Sequence, residues 1–325
     1  MKMSAKDMRE LCRDILMRHK LGEEDAHIVT DCLLEAELRG RPTHGLIRLP
    51  GIAERSASGR RRPMRMTSEG GAYARVDGQE NLGYLVAHRC ARTAVTKADS
   101  MGVGLVGGVN TGHCGMLGYY ASMMADAGMA GLVMCNTLPR IAPWGGTEPV
   151  LGTNPISAGF PARDGQVLVD LSTAAITNGE ILMALKDGKP IPKGRALGPD
   201  GRLTTDAAQA KRGAVLPFGA HKGYALAMMV QIFSGILMGA APVPDPGKDY
   251  GIFMLAVSPS IFQKMALFQD GVAELVKRLK SARLAEGATE ILVPGERAFR
   301  ERDARLQDGI DVDEDLFRTL ERLRA

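Results

Sequence analysis

The stretch Gly40-Arg41-Pro42-Thr43-His44-Gly45-Leu46-Ile47-Arg48 joins two amphipathic helical patterns near the start of a 325-residue chain. It places a histidine, which titrates near neutral pH, beside a hydroxyl and close to an arginine, whose planar guanidinium suits a carboxylate. Glycine and proline interrupt the helices and fix the shape of the loop. Taken alone, this pattern is more typical of a helix cap followed by a structural histidine than of a catalytic site. Later segments of the chain make the catalytic interpretation the better one.

The composition is that of an ordinary globular protein. Hydrophobic residues make up 45% and charged residues 24% of the chain, and the net charge of +4 is mild. The length is enough for about two domains. The densest basic run comprises Arg60, Arg61 and Arg62 with Arg65, and no aromatic residues interleave with it. We therefore expect a solvated loop there and no nucleic-acid partner.

The cysteines predict a reducing compartment. There are five of them, and none forms a C-x-x-C pair that would indicate a structural zinc site. We expect reduced thiols, a cytoplasmic location and no metal site. The first residues are too polar for a signal peptide. The most apolar run, residues 224–239, is too short to span a membrane and contains Gln231, so it is expected to form a buried helix.

The predicted secondary structure changes in type at two points along the chain. Residues 1–72 carry mainly helical patterns, beginning after a plausible N-cap at Ser4. Residues 73–264 alternate strand-like and helical segments with many glycines, and residues 265–325 return to helical spacing. We expect the two ends to pack together as one discontinuous helical domain around a central α/β domain.

A glycine-rich dinucleotide fingerprint occurs, but its context is wrong. Gly102-Val103-Gly104-Leu105-Val106-Gly107 matches G-x-G-x-x-G, and Asp126 follows about twenty residues later. In a Rossmann fold these glycines turn a strand into the start of a helix. Here a helical pattern precedes them and they lie within an apolar run, so the segment predicts a strand and not a Rossmann site.

Three further segments are candidate binding loops. Asn110-Thr111-Gly112-His113-Cys114-Gly115-Met116-Leu117 leads into a helix, and Phe218-Gly219-Ala220-His221-Lys222-Gly223 leads into another. Backbone amides at such helix starts can hold a phosphate, although turn and capping chemistry explains the same residues. A long irregular region, residues 136–155, lies between them, and irregular regions of this length are often functional.

Together these pieces resemble the malate/L-lactate dehydrogenase family, which comprises NAD(P)-dependent oxidoreductases without a Rossmann fold. That family includes ureidoglycolate, sulfolactate and diketogulonate enzymes, as well as reductases of Δ1-piperideine-2-carboxylate and Δ1-pyrroline-2-carboxylate. The pieces that carry the resemblance run through the chain in order. They are Arg39-Gly40 through Arg48, Gly112-His113 through Tyr120, Ala142-Pro143-Trp144-Gly145-Gly146, Gly152-Thr153-Asn154-Pro155, Val169-Asp170-Leu171-Ser172-Thr173, His221-Lys222-Gly223-Tyr224 and Val293-Pro294-Gly295-Glu296.

The resemblance implies an α/β fold in which a non-Rossmann mixed sheet binds the nicotinamide cofactor, NADPH or NADH. It also implies a homodimer with the active site near the subunit interface, and a small carboxylate substrate. Cofactor contacts are implied for four segments. These are His113, Cys114, Gly115, Met116 and Leu117; Asp170, Leu171 and Ser172; His221 and Lys222; and Gly295, Glu296 and Arg297.

The resemblance also assigns roles around the reacting atoms. His44 matches the proton donor, and Thr43 supplies a hydroxyl where most members have serine. Arg48 and Thr153 match positions near the substrate carboxylate. His113 acts as the acid/base in some members, so two histidines remain candidates; His44 is preferred because it has an adjacent hydroxyl and a candidate acidic partner.

That partner, Glu180, is a departure from the family pattern, because many 2-hydroxyacid members carry lysine there and the cyclic imino acid reductases carry aspartate. An acid beside His44 would raise the pKa of the imidazole, although Glu180 could equally be an exposed helix residue. Arg195 is a second departure, at a position where members often have tryptophan. The expected activity is hydride transfer at C2 of a small 2-oxo or 2-hydroxy acid or of a cyclic 2-imino acid, with Glu180 slightly favouring the imino acid. A catalytically inactive cofactor-binding or regulatory protein is the alternative.

Overall fold

The computed structural model describes residues 1–58, 62–244 and 249–325. Arg60 and Arg61 lie outside the described residues, so the solvated loop expected there stays a prediction. The strands are β1 (Lys2–Met3), β2 (Arg65–Glu69), β3 (Tyr73–Asp77), β4 (Val103–Thr111), β5 (Ala130–Cys135), β6 (Ile156–Ala162), β7 (Gly165–Leu171), β8 (Ala196–Leu197), β9 (Leu203–Thr204), β10 (Ala214–Val215), β11 (Tyr250–Val257) and β12 (Ile310–Asp311). The helices are α1 (Ala5–Arg18), α2 (Glu23–Leu38), α3 (Leu49–Ala57), α4 (Gly83–Met101), α5 (Leu117–Asp126), α6 (Asn178–Lys186), α7 (Ala207–Arg212), α8 (His221–Val230), α9 (Met265–Lys280), α10 (Glu296–Asp308) and α11 (Glu314–Arg324).

A seven-stranded mixed sheet forms the centre of the molecule, in the order β2-β3-β4-β11-β5-β6-β7. Only the β3–β4 pairing within this sheet is parallel, and the other five pairings are antiparallel. A Rossmann sheet is mostly parallel. The non-Rossmann mixed-sheet fold predicted from the sequence is therefore confirmed.

The glycine run that resembles a dinucleotide fingerprint lies at the end of α4 and in β4. Gly102 caps α4 in the left-handed conformation, and β4 then continues as a strand. A Cβ atom on Gly104 would overlap the carbonyl oxygen of Ala94 on α4. The glycine at this position thus lets α4 pack directly on the sheet, which is a structural role and not a phosphate-binding one.

Strand β11 is the middle strand of the sheet and is covered on both faces. Its sequence, YGIFMLAV, is almost continuously apolar, and six of its eight residues are buried. Such a pattern is expected for a strand with helices or loops on both sides. The main hydrophobic core extends from α1 and α2 to this strand, through Leu33, Val86 and Met254.

The two ends of the chain meet. Strand β1 pairs antiparallel with β12, and the terminal amino group of Met1 donates to the Val312 carbonyl at 2.9 Å. Helix α11 packs on α1, where Arg324 forms an ion pair with Asp14 at 2.8 Å. The first 72 residues also contain β2, which belongs to the large sheet. The domain boundaries suggested by the sequence stay a prediction.

Among the helices of the described residues, none combines the length and apolar character needed to cross a bilayer. The apolar run after residue 224 forms α8 and continues as a π-helix, Gln231–Ile236. The cysteines are buried and free: Cys12, Cys32, Cys90, Cys114 and Cys135.

Candidate active site

The loop that carries His44 follows α2 as two short 3-10 turns and is held at both ends. The buried carboxylate of Glu37 on α2 accepts a hydrogen bond from the Leu46 amide at 2.7 Å. Within the loop, Arg48 Nε donates to the Thr43 carbonyl at 2.7 Å. These two bonds fix His44 and Arg48 relative to α2 in the free chain.

Two of the predicted catalytic residues, His44 and His113, stack on each other. Their ring centroids are 5.6 Å apart and the ring planes differ by 25°. His44 Nδ1 is hydrogen-bonded to Thr43 Oγ1 at 3.1 Å. His113 Nδ1 accepts a hydrogen bond from the Gly115 amide at 3.2 Å and lies 3.4 Å from the Tyr84 hydroxyl. Because Nδ1 of His113 is an acceptor, the ring proton of its neutral form is on Nε2.

Both histidines resist protonation. Burial, then the nearby cations Arg48 and Arg41, lowers the pKa of His44 to about 4. Burial, then Arg48, then His44 itself, lowers the pKa of His113 to about 3. Removing an imidazolium from water is unfavourable, and a neighbouring cation adds to that effect. At neutral pH both imidazoles are therefore neutral, with the guanidinium groups of Arg48 and Arg41 nearby.

Glu180, the predicted acidic partner of His44, forms hydrogen bonds within the start of its own helix. Its carboxylate Oε2 accepts hydrogen bonds from the Thr177 amide and hydroxyl, both at 2.7 Å, and Thr177 Oγ1 accepts from the Glu180 amide at 3.2 Å. This reciprocal arrangement is a capping box at the start of α6. Burial first, and then the cations Arg48 and Arg41, lower the pKa of His44, whereas an acid beside the ring would raise it. A catalytic role for Glu180 stays a prediction.

The start of α6 nevertheless lies against the histidine loop. A Cβ atom on Gly179 would overlap the methyl group of Thr43, so the two backbones approach closely there. A cavity of about 210 Å³ lies beside α6, and both departures from the family pattern, Glu180 and Arg195, line it. Its other lining residues are Ala175, Ile176, Ala184, Pro190, Ile191 and Pro192.

A network of hydroxyl groups connects the predicted substrate residue Thr153 to the predicted cofactor segment at the end of β7. Thr137 Oγ1 accepts from the Thr153 amide at 3.0 Å and lies 3.3 Å from Thr153 Oγ1. The Thr153 carbonyl accepts from Ser172 Oγ at 3.1 Å and from Thr173 Oγ1 at 2.9 Å. Three segments that are distant in sequence thus meet at Thr153.

The neighbouring residue, Asn154, is fully buried and anchors this network to the α8 region. Its Oδ1 accepts from the Thr137 amide at 3.2 Å. Its Nδ2 donates to Gln231 Oε1 and to the Ala227 carbonyl, each at 2.8 Å. Asn154 has a φ of +34°, which is uncommon for a residue other than glycine. The side-chain bonds compensate for this backbone conformation.

Three residues that contact the predicted site were not singled out as site residues from the sequence. Tyr84 left no signal, because a single tyrosine in an apolar helix is normally a core residue. Asn154 lies in the Gly152-Thr153-Asn154-Pro155 motif, but no pattern assigned it a partner. Gln231 did carry a signal, since it is a polar amide in the most apolar run of the chain and must be paired when buried.

Three of the four predicted cofactor segments lie around the start of α5 and along β7. The Asp170 carboxylate accepts a hydrogen bond from the Gly118 amide on α5, and burial raises the pKa of Asp170 to about 6 although Arg41 acts in the opposite direction. The loop before α10 contacts the same strand, where the Leu168 amide donates to the Pro294 carbonyl at 3.3 Å.

The fourth segment, His221 and Lys222, is exposed at the start of α8. The preceding turn is joined to the end of β7 by the Phe218 amide, which donates to the Thr173 carbonyl at 3.0 Å. Glu296 is engaged by Lys280 and Arg300, each at 2.5 Å. Of the remaining predicted cofactor residues, Cys114, Met116 and Leu117 are buried, Gly115, Ser172 and Gly295 are half-buried, and Leu171 and Arg297 are exposed. Within the described ranges no group of three or more His, Cys, Asp or Glu side chains could hold a metal ion.

Known proteins resemble this chain over almost its whole length. The family model for malate/L-lactate dehydrogenase matches residues 3–321. The malate/(S)-sulfolactate dehydrogenase of Methanothermus fervidus is 36% identical over 98% of this chain and 96% of its own length. The Δ1-pyrroline-2-carboxylate reductase of Ancylobacter novellus is 33% identical over 99% of this chain and 97% of its own.

A solved structure agrees with the sequence matches. The sulfolactate dehydrogenase from Methanocaldococcus jannaschii superimposes with a TM-score of 0.92 at 35% identity, covering 99% of this chain and 96% of that one. The chain therefore belongs to the malate/L-lactate dehydrogenase family of oxidoreductases.

Proposed function

We propose that the chain catalyses hydride transfer between a nicotinamide cofactor and C2 of a small 2-oxo or 2-hydroxy acid. The observation that carries this proposal is the stacked pair His44 and His113 beside Arg48, because it combines two proton carriers with a carboxylate-binding cation. Malate and sulfolactate, the substrates named for the Methanothermus relative, are 2-hydroxy acids.

Arg48 would bind the substrate carboxylate through its guanidinium. That anion would offset the positive charge which lowers the histidine pKa values, so the imidazole would hold a proton more readily when substrate is present. His44 would then donate its proton to the substrate oxygen during reduction and accept it during oxidation. Thr43 would orient the His44 ring through its bond to Nδ1.

When bound, the nicotinamide cofactor supplies or accepts the hydride. The residues present suit such a group. The loop before α5 leads into a helix N-terminus, where backbone amides favour an anion. The hydroxyl of Ser172 is held in the network around Thr153, and the exposed Arg297 offers a cation for phosphate. We propose that His113, Ser172 and Arg297 contribute to the cofactor site. The preference between NADH and NADPH depends on contacts to the adenosine end.

A cyclic 2-imino acid is the second candidate substrate. The Ancylobacter relative is named for such a compound. In this chain the acidic residue Glu180 directly follows Gly179, which packs against Thr43. An imine nitrogen is protonated more easily than a carbonyl oxygen, so a nearby carboxylate would stabilise the iminium form. Against this, the Glu180 carboxylate already accepts two hydrogen bonds from Thr177.

The test follows NAD(P)H absorbance with purified protein, each cofactor and two substrate sets. One set contains oxaloacetate and pyruvate, and the other contains Δ1-piperideine-2-carboxylate and Δ1-pyrroline-2-carboxylate. We expect the oxo acids to be reduced faster. A strong preference for the cyclic imines would establish the second candidate, and no turnover with any substrate would support the inactive cofactor-binding protein instead.

We also propose that the chain acts as a homodimer in the cytoplasm. Large apolar side chains are exposed along the π-helix and along α9, as expected for surfaces that are covered in an assembly. They include Ile232, Phe233, Ile236 and Leu237, together with Leu267, Leu275 and Leu279. The buried, unpaired cysteines agree with a reducing compartment.

A further inference from the structure

Near its end, helix α2 carries a buried carboxylate that the proposed reaction does not use. Glu37 is 5% exposed. Burial raises the pKa of its carboxyl group, whereas a hydrogen bond from the Leu46 amide and the nearby guanidinium of Arg305 act in the opposite direction. A charge inside a protein is stable only where hydrogen bonds and an opposite charge replace its water. The structure supplies both for Glu37, from two distant parts of the chain.

Glu37 supports the loop that carries His44. Its Oε1 accepts a hydrogen bond from the Leu46 amide at 2.7 Å. A Cβ atom on Gly45 would overlap the same carboxylate, so the loop backbone lies directly on it. Gly45 and Leu46 are the two residues that follow His44. A carboxylate forms shorter and stronger hydrogen bonds than a neutral acid group, so the ionised form of Glu37 gives the loop its firmest support.

Arg305 of α10 provides the opposite charge. Its Nη1 donates to the Glu37 carbonyl at 2.6 Å, and its Nε donates to the carboxylate of Glu301 at 2.7 Å. The Arg305 side chain is 26% exposed, so solvent screens its charge only in part. The guanidinium is thereby held beside Glu37 and acts on its side-chain carboxylate through space.

Further contacts between α10 and the end of α2 fix this arrangement. Arg302 Nε lies 3.1 Å from Glu35 Oε1. The guanidinium of Arg39 packs over the ring of Phe299, with 5.2 Å between its Cζ and the ring centroid. Helix α10, near the end of the chain, thus packs against the helix that leads directly into the histidine loop.

We propose that Arg305 is a positioning residue for the histidine loop. Its guanidinium keeps the Glu37 carboxylate ionised, and the ionised carboxylate holds the Leu46 amide and thereby the ring of His44. The inference rests on the proposed function in one respect, since it takes His44 as the proton donor. Arg305 acts through Glu37 and not on the reacting atoms. Without the guanidinium, the buried carboxyl group would take up a proton and its hydrogen bond to the loop would weaken.

The first test compares Arg305→Met with Arg318→Met. Arg318 is an exposed arginine of α11 that pairs with Asp315 at 2.8 Å, much as Arg305 pairs with Glu301. Arg305→Met should lower kcat by roughly 10- to 100-fold and leave the Kd for NAD(P)H within about threefold, because it displaces a reacting group and not the cofactor. Arg318→Met should match the unaltered protein. An unchanged kcat for Arg305→Met, or an equal loss of turnover and cofactor affinity, overturns the proposal.

Two rescue experiments distinguish charge from packing. Arg305→Lys keeps the positive charge and should restore part of the lost kcat. Adding Glu37→Gln to Arg305→Met should also raise kcat, because glutamine still offers a carbonyl oxygen to the Leu46 amide and leaves no charge to compensate. A double variant no more active than Arg305→Met would make Arg305 a packing residue and overturn the proposal. If Arg305→Met does not fold, recovery of a folded protein in the double variant supports the charge role, and no recovery overturns it.

Infrared difference spectroscopy separates this inference from the proposed function, because it needs no turnover. The spectra of Arg305→Met, of the double variant and of the unaltered protein are compared at neutral pH. A band of a protonated carboxyl group that occurs only in Arg305→Met supports the proposal even if no substrate is reduced. If Glu37 is still ionised in Arg305→Met, the proposal is overturned, whatever the activity.

Discussion

His44 and His113 face each other across 5.6 Å, and Arg48 disfavours a proton on either ring. The protonation of the pair is therefore coupled to whatever neutralises that guanidinium. A carboxylate ligand on Arg48 would remove part of the effect and raise both pKa values. At the scale of single residues, substrate binding and proton binding should be linked.

We expect a carboxylate ligand to take up protons when it binds in mildly acidic solution. In the free chain the pKa of His44 is about 4, below its usual value near 6.5. Raising this pKa increases the protonated fraction between those two values and leaves it unchanged well above pH 7. Calorimetry with oxamate in two buffers of different ionisation enthalpy at pH 5.5 should give an uptake of up to about one proton. Proton release at pH 5.5, or equal uptake at pH 8, would contradict the coupling.

The two histidines can be distinguished by substitution. His44→Asn should lower kcat by roughly 10²- to 10⁴-fold, the usual contribution of a general acid, and leave the cofactor Kd within about threefold. His113→Asn keeps an acceptor for the Gly115 amide and should mainly weaken cofactor binding. Stopped-flow turnover and fluorescence titration with NAD(P)H measure the two quantities. A larger fall in kcat for His113→Asn would assign the proton donor to His113.

At the scale of elements, the start of α6 packs directly on the histidine loop. The capping box between Thr177 and Glu180 fixes where the helix begins. Gly179 lies within that first turn and packs on Thr43. Because the contact leaves no space for a side chain, a small change here should be transmitted to the ring of His44.

Gly179→Ala should therefore reduce activity without unfolding the protein. Its added methyl group would overlap Thr43, so either α6 or the loop must move, and misplacement of a catalytic group by about 1 Å can reduce rate by roughly 100-fold. Gly51→Ala is the matched control, because Gly51 lies in the helix α3 with open space around it. Its kcat/KM should match that of the unaltered protein. Equal activity of the two variants would show that the Gly179–Thr43 contact is not needed for catalysis.

At the scale of the whole molecule, the apolar side chains of the π-helix require an explanation. Gln231 on this helix is bonded to Asn154, which adjoins Thr153, while Ile232 and Ile236 point outward with 45% and 53% of their surface exposed. One element thus connects the hydroxyl network of the site to a surface suited to a second copy of the chain.

The double change Ile232→Asp and Ile236→Asp should convert the proposed dimer to a monomer. Burying one such side chain contributes about 1.5 to 3 kcal/mol, so two charges in the interface should weaken association by several orders of magnitude. Size-exclusion chromatography with light scattering gives the mass. Leu203→Asp is the control, because Leu203 is equally exposed but lies on the short strand β9. If both variants retain the mass of a dimer, the interface is elsewhere; a monomeric mass for the unaltered protein would rule out the dimer itself.

Local patterns predicted the elements and the fold class, but not how they are joined. The helix that starts after Ser4 and the strand that contains Gly104 follow from spacing and composition. The insertion of β11 between β4 and β5 could not be predicted, because strand pairing depends on contacts between residues more than a hundred positions apart. The resemblance to a known family supplied the mixed sheet, which no periodicity in the sequence indicates.

The site was predicted unevenly for the same reason. Thr43, His44 and Arg48 are neighbours in sequence, so their proximity was evident. The stacking of His113 on His44 and the bonding of Thr153 to Ser172 arise only from the fold. For Glu180 the sequence did contain a local indication of its contacts, because Thr177 and Glu180 have the spacing of a capping box. The structure contains that capping box.

The position of β11 also bears on how the protein is made. On the ribosome, β4 and β5 are both complete by residue 135, yet the strand that pairs with both begins only at Tyr250. At a synthesis rate of 5–20 residues per second, roughly 6 to 25 s pass before that strand is even translated. During this interval two apolar strands have free edges that could pair with another nascent chain. The strand order thus sets an interval during synthesis in which protection of these two edges cannot come from β11.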